Sequence, residues 1–377
     1  MLLKSDVSAV IADIFRTELA RDQKDTLAAF DDGNNIDLSA LPDTIKAKCF
    51  DETASFFSFS PRAFSSFNLM CDFAYASYLK NRKVVFATSG STGTPKRCTH
   101  TESMLEEEGV GIGKLWSGAK RLVCVTPRNH LYGFFFYIVF ARVLGIPSVY
   151  IPPMPTLPWE TLLKEGDVLA GFPLFWHYWL AAGHKFPSGV HAVSSTAPCP
   201  DDVITALLQA GAARFTEVYG ASETGGIAYR TEAKAAFEVF PFWEMSLGNE
   251  QPQICRSAQG KWLLLPDEVE MVSGRLIRPL KRTDACVQVA GMNVYPKHAE
   301  QVLAEHPAVK ACRVRLMRPE EGKRLKAFIV LNEGHHKGEL PELRRYLAAH
   351  LSVHEQPRSF TFGPALPISS IGKDADW

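Results

Sequence analysis

From Lys83 onward, short runs of β-branched and apolar residues alternate with stretches of helical period, and this alternation constrains the fold more than any other feature. Val84-Val85-Phe86-Ala87 reads as a strand, Ser103 to Glu108 opens a helix, Leu122-Val123-Cys124-Val125 is a strand and Tyr137 to Leu144 a helix. Ser148 to Ile151 and Val168 to Ala170 continue as strands, followed by a helix over Trp176 to Ala182, a strand over Val190 to Ser194, a helix over Asp201 to Ala210 and a strand over Phe215 to Val218. The expected fold class is α/β, with a large layered N-terminal domain. After Gly260 the texture changes: Lys261 to Leu265, Val269 to Val272, a Ser273-Gly274 turn and Leu276-Ile277 form a hairpin pattern suited to a small antiparallel subdomain. Beyond Asp284, helices at Pro296 to Glu305 and Glu339 to Leu351 flank strands near Ala311 to Met317 and Lys326 to Leu331, which predicts a separate, mobile α+β C-terminal domain. The expected division is 1–282 and 283–377. Residues before Lys80 read as helices and loops, with Phe56-Phe57-Ser58-Phe59 packing onto the larger body.

A length of 377 residues suits two or three folding units, and 46% hydrophobic with 22% charged residues places them in the globular class. Forty-one acidic residues balance 41 basic ones, so no global field attracts nucleic acid and an anionic ligand must be held locally. Eight cysteines without C-x-x-C spacing support neither a zinc site nor a disulfide framework, and fit thiols in a reducing cytosol. The opening segment has helical spacing broken by Lys4, Asp6 and Asp13, which a secretory leader would not tolerate, so a cytoplasmic location is expected. The apolar stretch from Leu131 to Val149 is interrupted by Arg142 and Pro147 and reads as a buried helix and strand, not a membrane span.

The strongest chemical signal is Thr88-Ser89-Gly90-Ser91-Thr92-Gly93-Thr94-Pro95-Lys96, set directly after a strand. Glycines let the backbone approach an anion, hydroxyls and amides donate to phosphate oxygens, and a lysine adds compact positive charge. Pro95 stands where a Walker loop needs glycine, so the loop is of another type.

This loop resembles the phosphate signature of the adenylate-forming superfamily of acyl-CoA synthetases, luciferases and peptide-synthetase adenylation domains. Three further segments resemble that family in order: Tyr219-Gly220-Ala221-Ser222-Glu223, the Lys281-Arg282-Thr283-Asp284 hinge, and the Pro367 to Lys373 segment with its lysine. The resemblance spans residues 84 to 373. It implies that Tyr219 stacks on adenine with Gly220 and Ser222 beside the nucleotide, that Ser195, Thr196, Ala197 and Pro198 line the adenine, and that Asp267 and Arg282 contact the ribose. It further implies Glu223 as the carboxylate for Mg²⁺, a hard ligand for a hard cation, Asp284 as the pivot and Gly291 as the entry for a thiol arm. Lys373 would bridge the attacking carboxylate and the α-phosphate. His130, in Asn129-His130-Leu131-Tyr132-Gly133, resembles the segment that gates the substrate carboxylate, and Phe134, Phe172, Trp176, Ala221 and Gly225 are the expected acyl-pocket walls.

The implied reaction is ATP-dependent activation of a small carboxylic acid to its acyl adenylate, with Mg²⁺, then transfer to the thiol of CoA or of an acyl-carrier protein's phosphopantetheine. The ring-rich walls suit an aryl or flat unsaturated acid, and the short run before the phosphate loop resembles phenylacetate-CoA ligases. A stand-alone adenylating enzyme with a non-thiol acceptor and a non-catalytic nucleotide-binding homologue are the alternatives. Retention of Lys96, Glu223 and Lys373 together argues against the last.

Overall fold

The computed structural model describes residues 2–21, 35–88, 96–246, 253–256, 260, 262–265, 267–282, 286–290, 292–318, 320–367 and 377. The chain divides into two compact units, 1–87 with 97–280, and 88–96 with 281–377.

The first unit begins with helices α1 (Lys4–Arg21), α2 (Asp43–Phe56) and α3 (Phe67–Asn81). Ser66 starts α3 by accepting the Leu69 N–H at 3.3 Å, and Arg82 ends it in the left-handed region at φ 48°. Strands β1 (Lys83–Thr88) and β2 (Lys96–Thr101) pair as a two-stranded sheet. Thr101 caps α4 (Glu102–Gly113), and β3 (Arg121–Cys124) follows. Next come α5 (Leu131–Phe134), a π-helical turn over Phe135–Phe140 and α6 (Ala141–Leu144), one helical stretch that is largely buried through Phe140, as the sequence predicts, while α6 is half-buried with Val143 exposed. No helix among the described residues is long and apolar enough to cross a membrane.

The central layer is built from β4 (Ser148–Tyr150), β5 (Asp167–Gly171), β6 (His191–Ser194), β7 (Arg214–Ala221), β8 (Gly225–Arg230) and β9 (Phe237–Val239), interleaved with α7 (Trp159–Leu162), α8 (Pro173–Ala181) and α9 (Asp201–Gln209). Strands β4-β3-β5-β6-β7 are parallel, and β7-β8-β9 continue antiparallel. Neighbouring residues of each parallel strand enter different cores: Leu122 and Cys124 pack with α1 to α6, whereas Val123 packs with α8 and α9. Burial on both faces explains why these strands read as unbroken apolar runs.

A small antiparallel sheet is formed by β10 (Trp243–Ser246), β11 (Gln253–Arg256) and β12 (Trp262–Leu264). Strands β13 (Asp267–Ser273) and β14 (Leu276–Arg282) extend the main sheet instead, β14 pairing with β9, to give nine strands in the order β13-β14-β9-β8-β7-β6-β5-β3-β4. The Ser273-Gly274 hairpin therefore carries Asp267 to the main sheet.

The second unit contains the hairpin β15 (Val287–Val289) and β16 (Met292–Val294), α10 (Pro296–Ala304), β17 (Val309–Leu316), β18 (Leu325–Leu331), α11 (Leu340–His350) and β19 (Ser359–Phe362). Its sheet pairs β17 with β18 antiparallel and β18 with β19 parallel, over a core that includes Ala299, Leu303, Ile329, Leu343 and Leu347.

Candidate active site

Beyond the C-terminal ends of β3, β5 and β6, and across the end of β7, lie four of the segments singled out in the sequence: His130, Phe172, Ser195 to Pro198, and Tyr219 to Glu223. The strand order reverses at β3, with β4 on one side and β5 on the other. In open parallel sheets, ligands bind outside the carboxyl ends at such a reversal.

His130 precedes α5 and caps it, its Nδ1 accepting the Tyr132 N–H at 3.3 Å. Burial pushes its imidazole down to about 4, so the ring is neutral at neutral pH. Tyr132 extends under the strand ends and donates its hydroxyl to Gly171 O at 3.0 Å, tying the β3 loop to the β5 loop. A Cβ on Gly133 would lie 2.1 Å from Pro127 O, so only glycine permits this close turn. Helix α1 supports the same loop: Asp13 accepts the Arg128 N–H at 2.8 Å, and Asn129 donates to the Thr17 hydroxyl at 3.2 Å. The N-terminal helix, which shows no chemistry in sequence, is thus the buttress of the His130 segment.

After β6, Ser195 donates its hydroxyl to Val218 O at 2.8 Å, fastening this loop to β7. Thr196 adopts φ 75°, and its buried hydroxyl has no hydrogen-bond partner among the described residues. A non-glycine residue in this region with an unsatisfied hydroxyl marks stored strain beside a site. Ala197 and Pro198 follow, and Glu217 then accepts the Cys199 N–H at 2.7 Å while Arg230 grips Glu217 at 2.7 Å and Asp201 at 3.0 Å.

Strand β7 runs past the end of β6, whose last partner is Glu217, so residues 218 to 221 project over the edge. Tyr219 donates its hydroxyl to Asp267 Oδ2 at 2.7 Å, which joins two residues expected at the nucleoside. Asp267 is buried and Tyr219 half-buried. A bulge between Tyr219 and Gly220 re-aims the strand before the tip. There, Thr224 N–H donates to Ala221 O at 3.2 Å, leaving Ser222 and Glu223 on the turn, both half-buried.

Three buried residues that the sequence reading did not single out hold this tip. His100 on β2 meets Ser222 O through Nε2 at 2.7 Å. Glu108 on α4 accepts the Gly226 N–H at 2.6 Å and an Arg256 N–H at 2.6 Å, and Arg256 donates to Thr224 O at 3.0 Å. Burial raises the Glu108 carboxyl to about 7 in spite of Arg256. Gly225 sits at φ 77°, and a Cβ there would meet Glu108 Oε2 at 2.2 Å. A local sign of Glu108 existed: it falls on the apolar stripe Leu105, Gly109, Ile112, where a carboxylate needs a partner.

The expected acyl walls are not all brought together. Phe134 is fully buried between Phe56 and Phe86, whereas Trp176 is fully buried with Phe175 and Trp179 on the opposite face of the sheet. Phe172, half-buried at the end of β5, and Ala221 stay at the strand ends with the other segments. Lys96 is exposed at the start of β2. The side chains of Thr88 and Arg282, and all of Ser89, Gly90, Ser91, Thr92, Gly93, Asp284, Gly291 and Lys373, lie outside the described residues.

The described residues hold no cluster of three or more metal-ligating side chains. Glu223, a half-buried carboxylate on the tip, is the donor type that a Mg²⁺ shared with substrate phosphates would need, since this ion keeps several waters and takes one or two carboxylates.

Residues 4–253 match the family of AMP-binding enzymes, and residues 298–373 match the AMP-binding enzyme C-terminal domain. A 4-coumarate–CoA ligase from Rhodobacter capsulatus is 34% identical over 308 residues, 80% of this chain and 77% of that protein. Another, from Halorhodospira halophila, is 32% identical over 292 residues, 77% and 74% of the two chains. Among solved structures, o-succinylbenzoate CoA synthetase from Bacillus subtilis shares the fold with a TM-score of 0.65 at 19% identity, over 77% of this chain and 67% of that one. With both family regions in place and relatives of this identity, the chain belongs to the AMP-binding, adenylate-forming enzyme family.

Proposed function

We propose that the protein is an AMP-forming acid–thiol ligase whose acid is aryl or flat and unsaturated, of the 4-coumarate type, and whose acceptor is CoA. The observation that carries the reading is the bonded pair Tyr219–Asp267 beside the Ser222-Glu223 tip, on a chain 34% identical to a 4-coumarate–CoA ligase. Residues 1–282 form the ATP- and acyl-binding part and 283–377 the part that carries Lys373, with Asp284 as pivot.

The substrate carboxylate attacks the α-phosphorus of ATP and pyrophosphate leaves, so no protein nucleophile is required and catalysis is positioning and charge stabilisation. Asp267 accepts from the ribose hydroxyls while its other bond fixes the Tyr219 ring against adenine. The loop Ser195 to Pro198 closes the opposite face of the base, with the Thr196 hydroxyl available to it. Thr88, Ser89, Gly90, Ser91, Thr92, Gly93 and Lys96 grip the β- and γ-phosphates. Glu223 would hold Mg²⁺, which would supply positive charge against the phosphates. Lys373 draws the carboxylate and α-phosphate together. His130, neutral and fixed as a helix cap, borders the acid without adding a charge that would compete with Lys373. The acyl adenylate is then attacked by the CoA thiol entering past Gly291, with release of AMP, after the C-terminal part turns about Asp284.

Incubation with 4-coumarate, ATP and Mg²⁺, with CoA, a pantetheinylated carrier protein or an amine supplied in turn, tests the acceptor by mass. A CoA thioester is expected. An amide, or a carrier-bound product without a CoA thioester, would overturn the acceptor.

A further inference from the structure

We propose that His100 is a positioning residue for adenylation, which holds the Ser222 carbonyl so that the Glu223 carboxylate is presented to the metal–nucleotide from a fixed tip. The proposal rests on the reading of Glu223 as the metal ligand.

His100 is fully buried on β2, the strand that begins at Lys96. Its Nε2 lies 2.7 Å from Ser222 O. A carbonyl only accepts, so Nε2 carries a proton. Burial, which pushes the imidazole down to about 4, keeps it neutral. Nδ1 is enclosed and without a hydrogen-bond partner among the described residues, and the Phe86 ring stands edge-on at 5.7 Å. With one nitrogen committed to Ser222 and the other walled in, the ring cannot relay protons to a substrate. What remains to it is to hold a carbonyl.

The position of that carbonyl gives the bond its meaning. Ser222 precedes Glu223, and on the other flank Arg256 holds Thr224 O while Glu108 holds Gly226 N–H. Arg256 is itself fixed over the Trp243 ring at 4.6 Å and the Phe242 ring at 5.1 Å. Glu223 is therefore the residue between two buried anchors, and His100 is the anchor contributed by the strand that leads out of the phosphate loop. Without it, the Ser222 peptide loses its buried anchor, and the main chain that carries Glu223 is held on the Thr224 side alone. A neutral donor suits this place better than a lysine or arginine, whose charge would compete with the cation for Glu223.

The test compares three substitutions by two readouts: binding of Mn²⁺–ATP followed by electron paramagnetic resonance, and the Mg²⁺ dependence of ATP–pyrophosphate exchange. In His100→Gln the amide nitrogen reaches the place of Nε2, and metal half-saturation is expected within about threefold of wild type in both assays. His100→Leu has no donor, and the amide of His100→Asn stops near the place of Nδ1; each is expected to raise metal half-saturation roughly tenfold, the scale of one lost buried hydrogen bond. His100→Asn stands in should His100→Leu fail to fold, as checked by thermal melting. Unchanged metal binding in folded His100→Leu or His100→Asn, or an equal loss in His100→Gln, would overturn the proposal. Glu223→Gln is measured alongside: if it leaves the metal dependence unchanged, the metal-ligand reading itself fails; if it shifts that dependence while His100→Asn does not, only the role of His100 fails.

Discussion

The Tyr219 hydroxyl and the Asp267 carboxylate are joined at 2.7 Å across 48 residues of sequence, so the two groups assigned to adenine and ribose form one rigid unit. Because the Asp267 carboxylate is buried, truncation there also removes the 2.7 Å bond that the Tyr219 hydroxyl makes to it. Asp267→Ala is expected to raise the KM for ATP about 50-fold and Tyr219→Phe about fivefold, in line with hydrogen bonds to charged and neutral partners. Steady-state kinetics with varied ATP at saturating acid checks both. A larger effect from Tyr219→Phe than from Asp267→Ala would contradict the arrangement.

Thr196 carries backbone strain at φ 75° and a buried hydroxyl without a partner among the described residues. Thr196→Gly relieves both, and a gain of about 1 kcal/mol in unfolding free energy is expected. The same change weakens ATP binding several-fold if the hydroxyl serves the base. Denaturant unfolding and nucleotide titration of one variant report the two effects, and a loss of stability would exclude stored strain.

Acid destabilises this fold through its histidines. The imidazole of His100 is held down to about 4, against an ordinary value of 6.5, by burial, with His130 and His191 shifted the same way. The unfolded chain then binds protons that the folded chain refuses, so the stability is full above about pH 6.5 and is lost as pH falls toward 4. His100 alone accounts for on the order of 3 kcal/mol over that window. In His100→Gln, the slope of unfolding free energy against pH near pH 5 is expected to fall by about 1.4 kcal/mol per pH unit, one proton's worth. An unchanged slope would show the ring to be accessible to protons.

Lys373→Ala separates the two half-reactions. Adenylate formation is expected to fall by about 10³-fold, the scale of a lost charge contact in phosphoryl chemistry, while thiolation of supplied acyl-AMP stays within about threefold. Stopped assays of each half-reaction measure this, and equal losses in both would contradict the assigned role.

The legible parts of the molecule were those whose physics is local. Leu122-Val123-Cys124 and Val168-Leu169-Ala170 read as strands because both faces are covered, and the helical stretch from Leu131 reads through the apolar run that reaches Ala141 before Arg142. The addition of β13–β14 to the main sheet was not legible, since a hairpin pattern carries no information on which edge it joins. Nor was the pairing of Glu108 with Arg256, which are 148 residues apart, although a carboxylate on an apolar stripe signals that a partner exists. Phe134 and Trp176 show the limit of composition: ring-rich segments near a motif do not reveal which face of a sheet each ring enters. His100 was hidden because its role is to hold a main-chain carbonyl, which leaves no mark in sequence.

The most direct test of the account is ATP–pyrophosphate exchange with 4-coumarate and Mg²⁺ in the absence of CoA. Exchange that depends on the acid, followed by release of AMP and coumaroyl-CoA once CoA is added, is the expected result. Binding of ATP without exchange for any aryl, unsaturated or aliphatic acid would contradict it.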